Sequence, residues 1–256
     1  MRLALISDIH GNLPALDAVL ADIVATGVDA IVNLGDILSG PLWPAETAET
    51  AERLMPLRLP TVRGNHERQL LQPLEQLGRT DRHTVERLQP GHLAWIAALP
   101  ATLRCAEDAV LCCHGTPGSD LTYGMESLEP ARQPGGRAAV RAATEEEVRT
   151  RMGDVAAQVI VCGHSHVPRV MQLADGRLVV NPGSVGLQAY DDDHGQPHRI
   201  ETGAPHARYA VIEREMAGWS VQLRAVAYDW EAAARQAEAH GRPDWAVALR
   251  TGRMAR

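Results

Sequence analysis

Short apolar runs rich in valine, isoleucine and leucine alternate with helical patterns along most of this 256-residue chain. Such alternation is typical of an α/β domain, in which helices connect buried strands and cover the sheet. The pattern predicts strands at residues 2–7, 30–34, 59–63, 101–105, 109–113, 158–162, 169–173, 177–181, 208–212 and 219–227. It predicts helices over 13–26 and 45–55, within 67–100, and from about 229.

The pattern shows no internal repeat and no linker. We therefore expect one domain over residues 1–256, with a motif-bearing core at about 1–186 and a closing hairpin and helices at about 207–256. Two polar stretches that contain glycine and proline, 115–137 and 190–206, fit neither periodicity, and their length makes them either functional loops or disordered ones.

Charge and composition exclude several function classes. The net charge of −7 gives no global attraction to a nucleic-acid polymer or to a membrane surface. All 25 basic residues are arginine, so Schiff-base chemistry and a P-loop lysine are excluded. The four cysteines form no C-x-x-C pair and are interpreted as small buried residues. Because the N-terminal apolar run stops at Ser7, neither a signal peptide nor a membrane span is predicted, and we expect a cytoplasmic location.

Five short polar groups stand where predicted strands end. Ligand sites in α/β folds lie beyond the carboxyl ends of strands, so these groups are candidates for a common site. They are Asp8-Ile9-His10, Gly35-Asp36, Gly64-Asn65-His66-Glu67, His114-Gly115 and Gly163-His164-Ser165-His166.

The spacing within these groups suits metal binding. Residues two apart on an extended chain point the same way, so Asp8 with His10, and His164 with His166, can each act as a two-pronged clamp. A lone histidine at a strand end is usually a buried core residue, but several together favour a ligand set. Carboxylate, imidazole and amide oxygen suit Mn, Fe, Zn or Ni better than Ca or Mg.

In type and order, these groups resemble the motifs D-x-H, G-D, G-N-H-[DE], H and G-H-x-H of the calcineurin-like metallophosphoesterase superfamily. The run of residues 181–186 is similar to the ending found in compact prokaryotic phosphoesterases related to diadenosine tetraphosphatase. The resemblance implies a four-layer α-β-β-α sandwich, with two mixed β-sheets flanked by helices.

The same resemblance implies two divalent metal ions, with Mn as the first choice, and hydrolysis of a small phosphoester by a metal-bridging hydroxide. Asp36 would be shared by both ions, and His66 would act as general acid or stabilise transition-state charge. The resemblance implies that the first ion is held by Asp8, His10, Asp36 and His166, and the second by Asp36, Asn65, His114 and His164.

The motifs constrain the substrate class less than they constrain the metal ligands. Protein phosphatases and symmetrical diadenosine tetraphosphatases place an arginine shortly after the G-D motif, and the stretch after Asp36 has none. Arg63 and Tyr123 are the candidate substrate contacts, and the stretch 115–137 is predicted to border the site. With few cationic clamps, a small phosphodiester or nucleotide is favoured over a monoester or a phosphoprotein.

Other interpretations stay open at this stage. The fold could serve as a non-catalytic interaction platform or as a protein phosphatase. An amidohydrolase would also use H-x-H, but it does not explain Asn65 and His66. Three further histidines are interpreted as surface residues, with an additional metal site or a substrate contact as the alternative. They are His194, His198 and His206.

Overall fold

The computed structural model describes residues 1–40, 46–193 and 195–255. Its strands are β1 Arg2–Ile6, β2 Ala30–Asn33, β3 Thr102–Cys105, β4 Val110–Cys113, β5 Glu126–Glu129, β6 Ala139–Ala142, β7 Val159–Val161, β8 Arg169–Gln172, β9 Leu178–Asn181, β10 Ala189–Asp192, β11 His198–Glu201, β12 Ala207–Glu215 and β13 Gly218–Val226. Its α-helices are α1 Leu13–Thr26, α2 Glu46–Leu54, α3 Asn65–Leu70, α4 Arg79–Val85, α5 Pro90–Ala97, α6 Glu145–Met152, α7 Trp230–Ala239 and α8 Pro243–Thr251.

Two large sheets form the centre of the molecule. The first has the strand order β13-β12-β1-β2, and the second has the order β3-β4-β7-β9-β8. Each is mixed, because β1 and β2 run parallel while β12 runs antiparallel to β1, and β4, β7 and β9 run parallel between antiparallel edge strands. The parallel strands in each sheet therefore end at the same edge of that sheet.

Side chains that alternate along the strands build three apolar layers. In β1, Leu3 and Leu5 join Val161 of β7 between the two sheets. Ala4 and Ile6 point the other way and pack with α1 and α5. On the outer face of the second sheet, Ile160 packs with α6. The order helix, sheet, sheet, helix confirms the predicted four-layer sandwich.

Most of the predicted strands and helices are present, but one predicted strand is wrong. The stretch 59–63 does not form a strand; it contributes an isolated parallel bridge between Asn33 and Thr61. Pro60 lacks an amide hydrogen, so this segment can accept from Asn33 but cannot complete a regular ladder. The predicted helical region 67–100 is divided into α3, a 3₁₀ turn at Leu74–Gln76, α4 and α5. Ala45, the predicted start of the second helix, lies outside the described residues.

The two stretches without a prediction each contribute to a small hairpin. β5, within 115–137, pairs with β6, which follows that stretch, and β10 pairs with β11 over 189–201. The four cysteines are free. Cys112, Cys113 and Cys162 are buried, as predicted, whereas Cys105 is partly exposed.

The C-terminal elements join the core directly, because β12 pairs with β1 and α8 packs on β10. The extent of the single domain stays a prediction. Within the described ranges, the structure contains no helix that is both long enough and apolar enough to cross a membrane.

The burial of the inter-sheet layer can be tested with two leucines in one row of the first sheet. Leu5 pairs with Ala210, which pairs with Leu223. Leu5 is fully buried, whereas Leu223 is 44% exposed at the sheet edge. We expect Leu5→Ala to lower the free energy of unfolding by about 2–5 kcal/mol, and Leu223→Ala by about 0.5 kcal/mol or less. Urea denaturation measures both, and equal losses would contradict the assigned layers.

Candidate metal centre

The five predicted groups come together at one edge of the sandwich. Asp8 and Asp36 follow β1 and β2, while His114 follows β4 and His164 follows β7. Among the described residues, the side chains that could hold a metal ion form three adjoining groups, in each of which the ligand atoms lie within 4.8 Å of one another. These groups are Asp8 with His10 and His166, Asp36 with His114 and His164, and His10 with Asp36 and His66.

The backbone at this edge takes an unusual conformation. Left-handed φ angles are uncommon for residues other than glycine and cost of order 1–3 kcal/mol each. Five of the predicted ligands nevertheless have φ between 50° and 68°. Such turns redirect the chain at the ends of the strands so that side chains point into one space. The five residues are Asp8, His10, Asp36, His164 and His166.

Glycine is required where two of these turns approach each other. A Cβ on Gly64 would collide with the carboxylate of Asp36, and one on Gly163 would collide with Ser7 Oγ and lie 2.8 Å from Asp8 Oδ2. Backbone N–H groups that closely follow these two glycines also donate hydrogen bonds to the carboxylates. His164 N–H donates to Asp8 Oδ2 at 3.1 Å, and His66 N–H donates to Asp36 Oδ1 at 3.0 Å.

In the first group, hydrogen bonds to backbone carbonyls fix the histidine tautomers. His10 Nδ1 lies 2.6 Å from the carbonyl oxygen of Ser39, and His166 Nδ1 lies 2.7 Å from that of Leu187. A carbonyl oxygen only accepts, so each Nδ1 carries a proton and donates it. The two Nε2 atoms then hold lone pairs, and they face each other at 3.1 Å. These lone pairs repel unless a cation or a proton lies between them.

The second group shows the same convergence. His114 Nδ1 lies 2.8 Å from the carbonyl oxygen of Leu34, and its Nε2 lies 3.1 Å from Asp36 Oδ2. Asn65 Oδ1 lies 3.1 Å from His114 Nε2 and 3.1 Å from His164 Nδ1, and 3.3 Å from Asp36 Oδ2. With its oxygen toward these atoms the amide could bind a cation, and rotated by 180° it would donate hydrogens to them.

A divalent cation therefore fits the residues present. The Oδ1 atom of the fully buried Asp8 has no hydrogen-bond partner within the described part of the chain, although it lies 3.3 Å from His166 Nε2. A buried carboxylate oxygen without a donor costs free energy unless a cation binds it. Imidazole, carboxylate and amide oxygen are the donor types of transition-metal sites.

The pKa values of most of these groups favour the ligand forms. Burial, reinforced by a neighbouring histidine, lowers the pKa of His10 to about 3 and that of His164 to about 4, so both are neutral. Burial raises the pKa of Asp8, but His166 and His114 outweigh it and lower that pKa to about 2. Opposing burial, Asp36 raises the pKa of His114 to about 10, so this ring exchanges a proton for a bound ion.

Glu67 holds the Asp36 turn in place. Its fully buried carboxylate accepts from Asp36 N–H at 2.8 Å, from Ile37 N–H at 2.7 Å and from Gly64 N–H at 2.9 Å. It thereby joins the first turn of α3 to the chain that follows β2. Sequence reasoning included Glu67 in a motif without giving it a role, although a glutamate three residues after a helix N-cap is a capping signal.

His66 lies beside the metal groups and is oriented by a residue that sequence reasoning missed. Its Nδ1 lies 2.9 Å from Asp81 Oδ1, which also accepts from Ser39 Oγ at 2.5 Å. The side chain of His66 is 29% exposed, and it lines the cavity described below. Asp81 lies within the predicted helical region, where the sequence carries no signal for such a contact.

A cavity of about 850 Å³ opens over the metal groups. Tyr123 lines it, and the Tyr123 hydroxyl lies 2.7 Å from that of Tyr190 and 2.8 Å from His198 Nε2. Arg63 is not among the lining residues, whereas Arg151 is. The stretch 115–137 borders the cavity, as predicted, through residues that include Leu121, Thr122 and Leu128.

The three histidines that the sequence analysis interpreted as surface residues lie in different surroundings. His198 is buried, not at the surface as expected, because the β10–β11 hairpin packs it against Tyr123. His206 is partly exposed and its ring centroid lies 5.2 Å from that of Trp230. His194 lies outside the described residues.

Comparison with known proteins identifies the family of this chain. The model of the calcineurin-like phosphoesterase superfamily domain matches residues 1–199. The chain belongs to that superfamily. It is thus a metal-dependent phosphoric ester hydrolase, and its cluster of histidine and aspartate side chains could bind the metals that this family uses.

Three individual proteins are similar to this chain over nearly its whole length. An uncharacterized protein of Methanocaldococcus jannaschii is 26% identical over 255 residues, which cover 95% of this chain and 94% of that protein. The structure of a metallophosphoesterase from Sphaerobacter thermophilus is 25% identical, with a TM-score of 0.70 and 97% of each chain covered. A hypothetical protein from Pyrococcus horikoshii OT3, 19% identical with 99% of each chain covered, shares the fold with a TM-score of 0.73.

The bracing role of Glu67 can be tested without an activity assay. Glu67→Gln turns an amide hydrogen toward one of the backbone N–H donors, so we expect a loss of about 1–3 kcal/mol in the free energy of unfolding. Metal affinity should also fall, because the Asp36 turn loses its brace. Glu75→Gln is the control, since Glu75 is exposed. Urea denaturation and metal analysis read out both effects, and a Glu67 variant equal to the control would refute the role.

Proposed function

We propose that this chain holds two divalent ions and uses them to hydrolyse a small phosphodiester. Asp8, His10 and His166 would bind the first ion, and the lone pairs that face each other in this group are the observation that carries the proposal. Asp36 would be shared, since it belongs to one group with His10 and to another with the second set. That second set is Asn65, His114 and His164.

When bound, divalent ions would activate water for in-line attack and balance the charge that develops on the phosphoryl oxygens. The protein's own contribution is to position them. Backbone carbonyls hold the ring of each of His10, His114 and His166 through Nδ1, so that only Nε2 is available to a ligand. The donor set favours Mn, Fe, Zn or Ni, with Mn as the first choice.

His66 is suited to act as the general acid for the leaving group. Burial lowers the pKa of His66, but Asp36 and the hydrogen bond that Nδ1 donates to Asp81 outweigh it and raise that pKa to about 9. The ring therefore carries a proton at neutral pH. Because Asp81 accepts from Nδ1, the proton on Nε2 is the one that can be donated into the cavity.

The charges that line the cavity favour a phosphodiester over a monoester. Arg151 is the one arginine among the described lining residues, and its guanidinium already donates to the carbonyl oxygens of Tyr123 and Glu126 and to Ser127 Oγ. A monoester dianion gains more from cationic clamps than a diester monoanion does. The same charge pattern argues against a phosphoprotein substrate.

Replacement of the shared carboxylate should affect both ions. We expect Asp36→Asn to lower metal content below one ion per chain and to reduce kcat by at least about 10²-fold, since a neutral amide binds divalent ions more weakly. Asp17→Asn is the control, because Asp17 forms an exposed pair with Arg53. Metal analysis of the purified proteins measures the first effect. Two retained ions and normal turnover would rule out the assignment.

Replacement of the proposed acid should separate catalysis from metal binding. His66→Gln is expected to keep both ions and to lower kcat by about 10²-fold or more. Asp81→Asn removes an interaction that raises the pKa of His66, so the proton is lost at lower pH and the alkaline limb of the kcat profile should shift to lower pH. An unchanged kcat for His66→Gln, or an unchanged limb for Asp81→Asn, would remove that residue from the mechanism.

The substrate class can be tested with two chromogenic esters. With Mn²⁺, we expect a higher kcat/KM for bis-(p-nitrophenyl) phosphate than for p-nitrophenyl phosphate, and no turnover of a phosphopeptide. A preference for the monoester or the phosphopeptide would overturn the diester proposal while leaving the two-ion centre intact. Absence of turnover on all three, with two ions bound, would favour the non-catalytic platform.

A further inference from the structure

The C-terminal helices contribute a wall of the cavity that the family match does not include. The match ends at residue 199, whereas Trp245, on α8, lines the cavity together with the metal groups. The α8 helix is anchored nearby, because Ala248 packs with Leu187 and Ala189. The carbonyl oxygen of Leu187 is the acceptor that orients His166. Helix α8, which carries Trp245, therefore packs against Leu187, the residue whose carbonyl oxygen orients His166.

The indole of Trp245 is held as a fixed surface. The guanidinium carbon of Arg242 lies 3.4 Å from the centroid of the indole ring, which places the cation against one face. Asp244 holds that guanidinium through two hydrogen bonds, from Nε at 3.0 Å and from Nη2 at 2.6 Å. An aromatic ring fixed in this way loses little conformational entropy when it stacks on a planar ligand.

Neutral hydrogen-bonding groups line other parts of the same cavity. Gln69, Gln72 and Gln76 present amide side chains from the end of α3 and the turn that follows it. Glu126 also lines the cavity; it is 2% exposed, and its Oε2 has no hydrogen-bond partner in the described ranges, although Oε1 accepts from Arg169. A buried acceptor beside a cavity needs a donor from a ligand or from water.

We propose that the cavity selects phosphodiesters that carry a nucleoside, whose base stacks on Trp245 while its polar atoms bond to the glutamine side chains and Glu126. This inference rests on the proposed function, because it assigns the group attached to the diester that the metal centre would cleave.

The test compares two diesters with the same charge and the same leaving group, thymidine 5′-(p-nitrophenyl phosphate) and methyl p-nitrophenyl phosphate. With the Mn²⁺-loaded enzyme, kcat/KM should be at least about 10-fold higher for the nucleoside ester, the scale of one stacked base. Trp245→Ala should reduce this ratio by about 10-fold, and Trp245→Phe should restore most of it. Trp219→Ala is the control, because that indole bonds to Gln158 and does not line the cavity.

A binding measurement keeps the inference independent of turnover. Thymidine 5′-methylphosphonate has one ester bond with a poor leaving group, so its binding can be measured by calorimetric titration, and Trp245→Ala should raise its Kd by about 10-fold. If neither diester is cleaved, the proposed function fails and this Kd still decides the inference. If both are cleaved with a ratio that Trp245→Ala leaves unchanged, the inference alone fails.

Discussion

Histidine lone pairs that face one another beyond the ends of β1 and β7 are the constraint on which the rest of this structure depends. His10 and His166 cannot turn their Nε2 atoms away from each other, because each Nδ1 is hydrogen-bonded to a backbone carbonyl. The backbone supports this arrangement with left-handed conformations that cost free energy in the absence of a ligand. A bound cation would offset that cost, so folding and metal binding would be coupled at this edge of the sandwich.

The sandwich supplies the rigidity that such an arrangement needs. The ligands extend from buried parallel strands of two different sheets, and the apolar layer between the sheets fixes the distance between them. Glu67 adds a local brace by accepting three backbone hydrogen bonds around Asp36. A fault in packing between the sheets would therefore displace one set of ligands relative to the other.

The cavity is lined by residues from inside and from outside the superfamily match. The residues that match the superfamily supply the metal groups, while the helix that carries Trp245 lies beyond the match. If the proposed function holds, alteration of α8 or of the stretch 115–137 would change substrate choice without disturbance of the metal groups.

The sequence by itself determined the motif groups and their order at strand ends, because strand periodicity and the spacing of residue types are local properties, and the resemblance of these groups to a known superfamily implied the sandwich. Only the tertiary structure decided which residues support them. Asp81 and Trp245 lie in ordinary helical patterns and reach the site through packing, Arg63 does not line the cavity, and Pro60 reduces the expected strand at 59–63 to one bridge. Contacts between distant segments depend on how the layers pack, and no local pattern records that packing.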